Sequence, residues 1–369
     1  MARTRYIYEQ PDWPAFRWDH AALEGVLASV HVRRAKLQMA LASLGFEPRQ
    51  STLLDVLVED VTRSSEIEGV NLDINQVRSS VARRLGLDTA GLPEPDRHVE
   101  GVVEMTLDAT QRYEIPLDEE RLFAWHAALF PTGRSGLSRI RVGTWRSDEL
   151  GPMQVVSGPI GRERVHFEAP AAEAVPTEMK RFLDWLTGGG AGDPILRAAT
   201  AHLWFVTVHP FEDGNGRIGR AIMDLALARA DQSANRSYSM SAQILKHRQS
   251  YYDVLENTQR GDLDITHWLA WFLARLEGAL DAAEGVVALV ELKRQFWERH
   301  RETNLNERQI KILNMLLDGF FGKLQTGRYA KITKCSPDTA LRDLTELVEL
   351  RILVREPSGG RSTSYALAD

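Results

Sequence analysis

The sequence predicts a mainly α fold with one β-hairpin near its middle and a smaller mixed unit at its C-terminal end. Three observations carry this. Apolar residues recur at helical spacing through most of the chain. Alternation of period two with turn residues is confined to residues 151–170. Beyond about residue 300 the periodic segments shorten and end in two brief β-type runs.

Taken in order, Asp19 to Leu44 repeats Leu23, Val26, Leu27 and Val30 at helical spacing and stops at Gly45. Thr52 to Glu68 does the same through Leu53, Leu54, Val56, Leu57 and Val61, ending at Gly69. Helices are expected over Arg97–Tyr113, Asp118–Leu129, Pro176–Leu186, Pro194–Val208, Asn215–Ala230, Ser241–Gln259 and Ile265–Arg301. Met153–Ser157 and Arg164–Phe167, joined through Gly158-Pro159-Ile160-Gly161, read as a hairpin. A lone hairpin is a poor core element, so a flap or an edge is expected. Asn306–Leu317, Gly327–Ile332 and a helix N-capped by Ser336 with Pro337 at its first position come next. With the runs Ile352–Val354 and Ser364–Leu367 around Pro357-Ser358-Gly359-Gly360, they predict a winged helix-turn-helix, with a boundary near 300–305.

At 369 residues the chain has room for two or three domains. A formal charge of -6 argues against a surface that traps polyanions everywhere. Cys335 is the only cysteine, so no intrachain disulfide forms. No apolar leader stands at the N-terminus, and five charges interrupt Trp268–Leu292, so a cytoplasmic protein without a membrane span is expected. No His/Cys/Asp cluster has structural-metal spacing, and His126, His202 and His247 read as ordinary helix histidines.

The chemistry concentrates in His209-Pro210-Phe211-Glu212-Asp213-Gly214-Asn215-Gly216-Arg217-Ile218-Gly219-Arg220. His209 is a base suited to neutral pH. Gly214 and Gly216 let backbone N–H groups converge on an anion, and the helix that follows adds its N-terminal partial charge. Arg217 and Arg220 stand at i and i+3, so both reach one anion. Asp213 suits Mg²⁺, which takes one or two carboxylates beside phosphate oxygens.

This stretch resembles the Fic family signature, His-Pro-Phe-x-Asp-Gly-Asn-Gly-Arg-x-x-Arg, at every fixed position. The resemblance implies a Fic helical bundle with a β-hairpin flap and transfer of AMP from ATP to a Ser, Thr or Tyr hydroxyl of a target protein. It implies that His209 deprotonates the hydroxyl and Asp213 holds Mg²⁺. Asn215 and the Gly214–Gly216 backbone would orient the phosphates, Arg217 and Arg220 would bind the β and γ phosphates, and Ile218 and Gly219 border the nucleotide. In the flap, Val155, Val156, Ser157 and Gly158 would lie beside ATP and align the target by strand addition. Tyr251, Tyr252, Leu255 and Gln259 resemble the family's adenine-pocket segment. Three regions follow: an N-terminal helical region over 1–115, a Fic core over 116–300 and the winged helix over 301–369.

Upstream, Ser64-Ser65-Glu66-Ile67-Glu68-Gly69 resembles the family's inhibitory motif, Ser/Thr-x-x-x-Glu-Gly/Asn. The class implied carries an N-terminal inhibitory helix, in which Glu68 competes with ATP for Arg220. Some relatives also remove AMP, and many dimerise, so AMP removal, self-modification and a homodimer stand beside simple transfer as expectations. Residues 301–369 hold 11 Lys and Arg against 9 Asp and Glu. DNA contact through Lys323, Arg328, Lys331, Lys334, Arg355 and Arg361 and protein contact are equal alternatives for this unit. A DNA-binding regulator that uses the Fic core as a nucleotide sensor is the competing reading of the whole.

Overall fold

The structure is a computed structural model that describes residues 6–149, 151–158, 162, 164–188, 192–319, 322–356 and 363–368. Pro159, Ile160 and Gly161 of the expected flap turn, and Pro357–Gly360 with Arg361 of the expected wing, lie outside the described residues. The chain divides into two compact units, Met1–Ala283 and Glu284–Asp369, with no break between the expected N-terminal region and the core.

The first unit is built from helices α1 (His20–Ser43), α2 (Phe46–Ile67), α3 (Ile74–Arg84), α4 (Arg97–Gln111) and α5 (Glu119–Leu129). Two short hairpins follow, β1 (Arg134–Ser135) with β2 (Ser138–Arg139), and β3 (Gln154–Ser157) with β4 (Arg164–Glu168). Then come α6 (Val175–Thr187), α7 (Pro194–Val208), α8 (Asn215–Asp231), α9 (Met240–Lys246), α10 (Arg248–Gln259) and the start of α11 (Thr266–Arg299). Aspartates begin many of these helices for a common reason: a carboxylate satisfies N–H groups that have no intrahelical partner. Asp19, Asp73, Asp96, Asp118 and Asp193 each accept from one or two backbone N–H groups of the first turn.

The α7–α8 pair is the centre of this unit. From Ile195 to Val208 only Arg197 escapes full burial, so α7 reads as an almost unbroken apolar run rather than an amphipathic stripe. Helices α2 and α4 pack against α8. On α2 the side chains of Leu57, Val58, Val61 and Ile67 are buried. At roughly 2 kcal/mol for each such side chain, apolar packing holds α2 in place independently of any charge on it.

Two helical expectations change. Helix α3 was not foreseen, since Val77 and Val81 are its only large apolar side chains facing inward. The expected helix 241–259 is two helices with a break at His247, whose backbone leaves helical geometry (φ -119°, ψ 30°) while Ser250 Oγ donates to its carbonyl. At the N-terminal end, Tyr6 and Phe167 meet edge to face (5.1 Å) and Tyr8 Oη donates to Glu168 O at 3.1 Å. Tyr6 and Tyr8 therefore pack on strand β4 of the flap. Among the described residues no helix is long and apolar enough to cross a membrane.

The second unit contains the end of α11, α12 (Glu307–Leu317), α13 (Thr326–Thr333), α14 (Pro337–Glu349), β5 (Leu353–Arg355) and β6 (Tyr365–Leu367). Its core joins Ile312, Leu313, Tyr329, Leu344, Leu347, Ile352 and Tyr365. Leu324 bridges to Tyr365, adding a third backbone segment to the β5–β6 hairpin. Asp343, buried on α14, accepts from Tyr329 Oη, Asn306 Nδ2 and the Arg308 guanidinium, and these partners hold its carboxyl below the ordinary range against the opposing effect of burial.

Candidate active site

His209 is the first residue past α7, in the left-handed region (φ 53°, ψ 59°). A non-glycine residue rarely stays there without support. Support comes from three sides. Its N–H donates to Phe205 O (3.0 Å), its carbonyl accepts from Arg146 Nε (2.8 Å), and its Nδ1 lies 3.2 Å from Val206 O. A carbonyl only accepts, so Nδ1 carries the proton and Nε2 keeps its lone pair. Burial, opposed by the Val206 contact and reinforced by the Arg146 charge, lowers the imidazole to about 4. His209 is therefore a neutral base at physiological pH.

The loop after it is closed by Asn215. Its Oδ1 accepts from Phe211 N (2.9 Å) and its Nδ2 donates to Phe211 O (2.7 Å). These two bonds fix the shape of the loop backbone from which Asn215 is expected to orient the phosphates. Phe211 is fully buried and stacks on His126 (4.2 Å, 15°). His126 Nε2 donates to Asp213 O (3.2 Å), while its Nδ1 accepts from Gly143 N (3.2 Å). Burial lowers this imidazole to about 4 as well, which keeps the neutral tautomer that both bonds need. Asp213 accepts from Gly214 N (2.5 Å) and from the Ser135 hydroxyl of β1.

Helix α8 begins at Gly214, which is left-handed (φ 82°) and offers no side-chain cap. The first-turn N–H groups are thus left for an outside anion. Two buried guanidiniums stand beside them. Arg217, 4% exposed, lies over the Phe130 ring at 5.0 Å, and its Nε has no partner among the described residues. Burial lowers its pKa against the pull of Asp213. Arg220, 1% exposed, donates from Nε to Ser64 Oγ (2.9 Å) and from Nη2 to Ser64 O (2.8 Å) and Glu68 Oε1 (2.8 Å). Its Nη1 is buried without a hydrogen-bond partner among the described residues. Burial alone would weaken this guanidinium, but the Glu68 carboxylate leads the influences that turn the shift upward.

Glu68 lies one residue beyond α2, as its C-cap, and left-handed Gly69 (φ 77°) ends the helix. Its side chain is 33% exposed, so the pair is only half sealed. The carboxylate rests over the first turn of α8. A Cβ on Gly216 would come within 2.1 Å of Glu68 Oε1. The glycine thus makes the room that the carboxylate fills.

Residues 116–227 match a protein-family model described as "Fic/DOC family". These residues form a Fic domain. A separate stretch, 6–87, matches "Domain of unknown function (DUF4172)" and contains both Ser64 and Glu68. Among curated proteins, the chain is 27% identical over 268 residues to "Protein adenylyltransferase Fic" of Culex quinquefasciatus, covering 71% of this chain and 46% of that protein. It is 33% identical over 117 residues to "Protein adenylyltransferase fic-1" of Caenorhabditis elegans, covering 31% and 21%. The chain thus spans less than half the length of these relatives. A solved Fic family protein from Desulfovibrio desulfuricans G20 superposes with a TM-score of 0.53 at 22% identity, covering 94% of this chain and 96% of the other. That likeness concerns the fold.

The other expected Fic-domain residues fall into two groups. Val156, Ser157 and Gly158 are exposed on the flap, but Val155 packs against the Tyr6–Phe167–Ala169 cluster. Leu255 and Ile218 are buried. Tyr251 is 2% exposed and its hydroxyl pairs with His202 Nε2 at 2.7 Å. Tyr252 remains partly exposed, with Arg248 over its ring. Gln259 is also buried, and its amide donates to Thr207 Oγ1 (3.2 Å) at the end of α7.

Arg146 had no signal in the sequence. Its side chain is fully buried and ties His209 O, Asp148 (2.9 Å) and Pro170 O together. Equally unforeseen is Arg236, whose Nη2 joins Asp60 of α2 (2.8 Å) to Asp224 of α8 (2.6 Å). This second bond between the two helices lies in the interior, with Asp60 eight residues before Glu68.

Proposed function

We propose that the Fic domain transfers AMP from ATP to hydroxyl groups of target proteins, and that Glu68 restrains it by occupying Arg220. The observation that carries this reading is the pair of buried arginines, with Arg217 Nε and Arg220 Nη1 unpartnered beside the open N-terminus of α8. Such an arrangement takes a polyphosphate. His209 Nε2 accepts the proton of the target Ser, Thr or Tyr hydroxyl, whose oxygen attacks the α-phosphate. The bond from that phosphorus to the bridging oxygen breaks, and pyrophosphate leaves. Arg217 and Arg220 bind the outer phosphates and hold the charge that develops on the leaving group.

No group of three metal-ligating side chains occurs among the described residues. The fit is instead that of Mg²⁺, which is satisfied by one carboxylate and phosphate oxygens. Asp213 is the residue that would hold it, with Ser135 and Gly214 N orienting the carboxylate. When bound, Mg²⁺ supplies charge neutralisation at the phosphates.

Restraint follows from competition for one guanidinium. With Glu68 on Arg220, the outer phosphates lose a ligand and the α-phosphate is left out of line for attack. One observation favours AMP removal as a second activity: Glu68 is a third exposed and, among the described residues, Arg220 engages its Oε1, which leaves Oε2 to align a water. Helix α14 presents Asp338, Leu341, Arg342, Glu346 and Glu349 to solvent, a mixed face that favours no base readout. The testing experiment is incorporation of labelled AMP from ATP into proteins of a lysate. Labelling by wild type and its loss in His209→Ala are expected, and equal labelling by both would overturn the reading.

A further inference from the structure

On the flap, a hydroxyl, an imidazole and a carboxylate stand in line. Ser157 Oγ lies 2.6 Å from His166 Nε2, and His166 Nδ1 lies 2.6 Å from Glu256 Oε2. A carboxylate accepts the Nδ1 proton, so Nε2 is left as the acceptor of the serine proton. Exposure rises along the line: the Glu256 side chain is 16% exposed, His166 is 26% exposed, and Ser157 is open to solvent. The orienting acid is inside and the hydroxyl outside, which is the order an activated serine requires. Glu256 is itself held by Arg164 (3.1 Å) and Arg260 (3.4 Å), and burial notwithstanding, its partners His166 and Arg164 keep its carboxyl below the ordinary range. Gly158, left-handed at φ 103°, turns the chain directly after Ser157 and leaves no side chain over the hydroxyl.

We propose that Ser157 is an activated nucleophile, a covalent site on the flap for a phosphoryl group that carries a good leaving group. In the step, Ser157 Oγ attacks phosphorus and the new O–P bond forms. The bond from phosphorus to the leaving group breaks, and that group departs with its electron pair. The serine proton passes to His166 Nε2, and Glu256 stabilises the imidazolium. Nothing in this step uses His209, Arg217 or Arg220, so it stands or falls apart from AMP transfer.

The simpler role for these residues is to staple the flap to α10. The flap is also held by bonds to atoms off this line: Arg260 donates to His166 O and Val165 O (2.9 Å each), and Gln154 Nε2 donates to Glu168 Oε2 (2.7 Å). The experiment exploits the difference. The full chain is treated with a fluorophosphonate probe, the labelled residue is located by peptide mass spectrometry, and the second-order labelling rate is measured. Ser157 is expected to carry the phosphonate, with fluoride released. His166→Ala is expected to slow labelling by at least about tenfold, as loss of a general base does, and Glu256→Gln to slow it less. Gln154→Ala, which removes a flap bond away from this line, is expected to stay within about twofold of wild type. Labelling at other residues only, a His166→Ala rate less than tenfold down, or a loss in Gln154→Ala beyond about twofold would overturn the proposal. Thermal melts of each variant separate chemistry from unfolding.

Discussion

Glu68 Oε1 lies 2.8 Å from Arg220 Nη2, in the space that the absent side chain of Gly216 leaves at the start of α8. On the proposed function, the inhibitory contact and the phosphate site are one place. A carboxylate there meets a guanidinium and a helix N-terminus, both of which favour an anion. Helix α2 is fastened elsewhere, by buried Leu57, Val58 and Val61 and by the Asp60–Arg236–Asp224 bridge. On the proposed function, release of Glu68 would need a side-chain movement and would leave these contacts in place.

Ser64 supplies two of the acceptors of Arg220, but only one from its side chain. Ser64→Ala removes the hydroxyl and leaves the carbonyl and Glu68. At about 1 kcal/mol for one hydrogen bond, AMP labelling is expected to rise only a fewfold. A change as large as that from removing Glu68, measured in the same labelling assay, would assign the restraint to the serine instead.

His209 is neutral down to about pH 4 because burial disfavours its charged form. The rate of AMP transfer should therefore show no fall between pH 7 and pH 5.5 from protonation of the base. A pH profile of labelling in which activity halves near the ordinary histidine value of about 6.5 would contradict this assignment.

His126, His202 and His209 are each lowered to about 4, burial being the first cause in all three. For a group held neutral in the folded state and ordinary in the unfolded one, protons favour unfolding between the two values. Stability is full above about pH 6.5 and is lost as pH falls toward 4. Urea midpoints at pH 7 and pH 5 are expected to differ, with the loss diminished in His202→Gln. An unchanged midpoint would show that these rings titrate normally.

Asn215→Ala removes both bonds that close the loop on Phe211 and leaves the Phe211 N–H and carbonyl buried without them. A cost of about 2 kcal/mol is expected from chemical denaturation. Labelling should fall as well, because the backbone of Gly214 and Gly216 loses its fixed shape. Wild-type stability in this variant would place the loop's support elsewhere.

What was legible in the sequence depended on distance along the chain. His209, Asp213, Arg217 and Arg220 are local neighbours, and a glycine-marked turn between two periodic helices places them by itself. Ser64 and Glu68 are more than 150 residues from Arg220, and only the family resemblance joined them. Arg146 and Arg236 act through folded contacts with carbonyls and aspartates from remote segments, and their neighbours in sequence carry no trace of it. Tyr251 illustrates an ambiguity of another kind. An aromatic pair on a helix fits a pocket wall and a core equally well, and only the structure shows its contacts with Trp268 and His202. The break at His247 has no glycine or proline to announce it.

The central claim is that this Fic domain is complete and restrained by one side chain. The Glu68–Arg220 pair lies between an exposed pair, worth about 0–1 kcal/mol, and a sealed one, whose breaking costs about 3–5 kcal/mol. An intermediate value of about 1.4–2.7 kcal/mol corresponds to roughly ten- to hundredfold in rate. The decisive measurement is incorporation of labelled AMP by Glu68→Gly beside wild type, at equal protein and saturating Mg-ATP. The account predicts labelling raised roughly ten- to hundredfold. Equal labelling, in a preparation whose wild type is active, would contradict it.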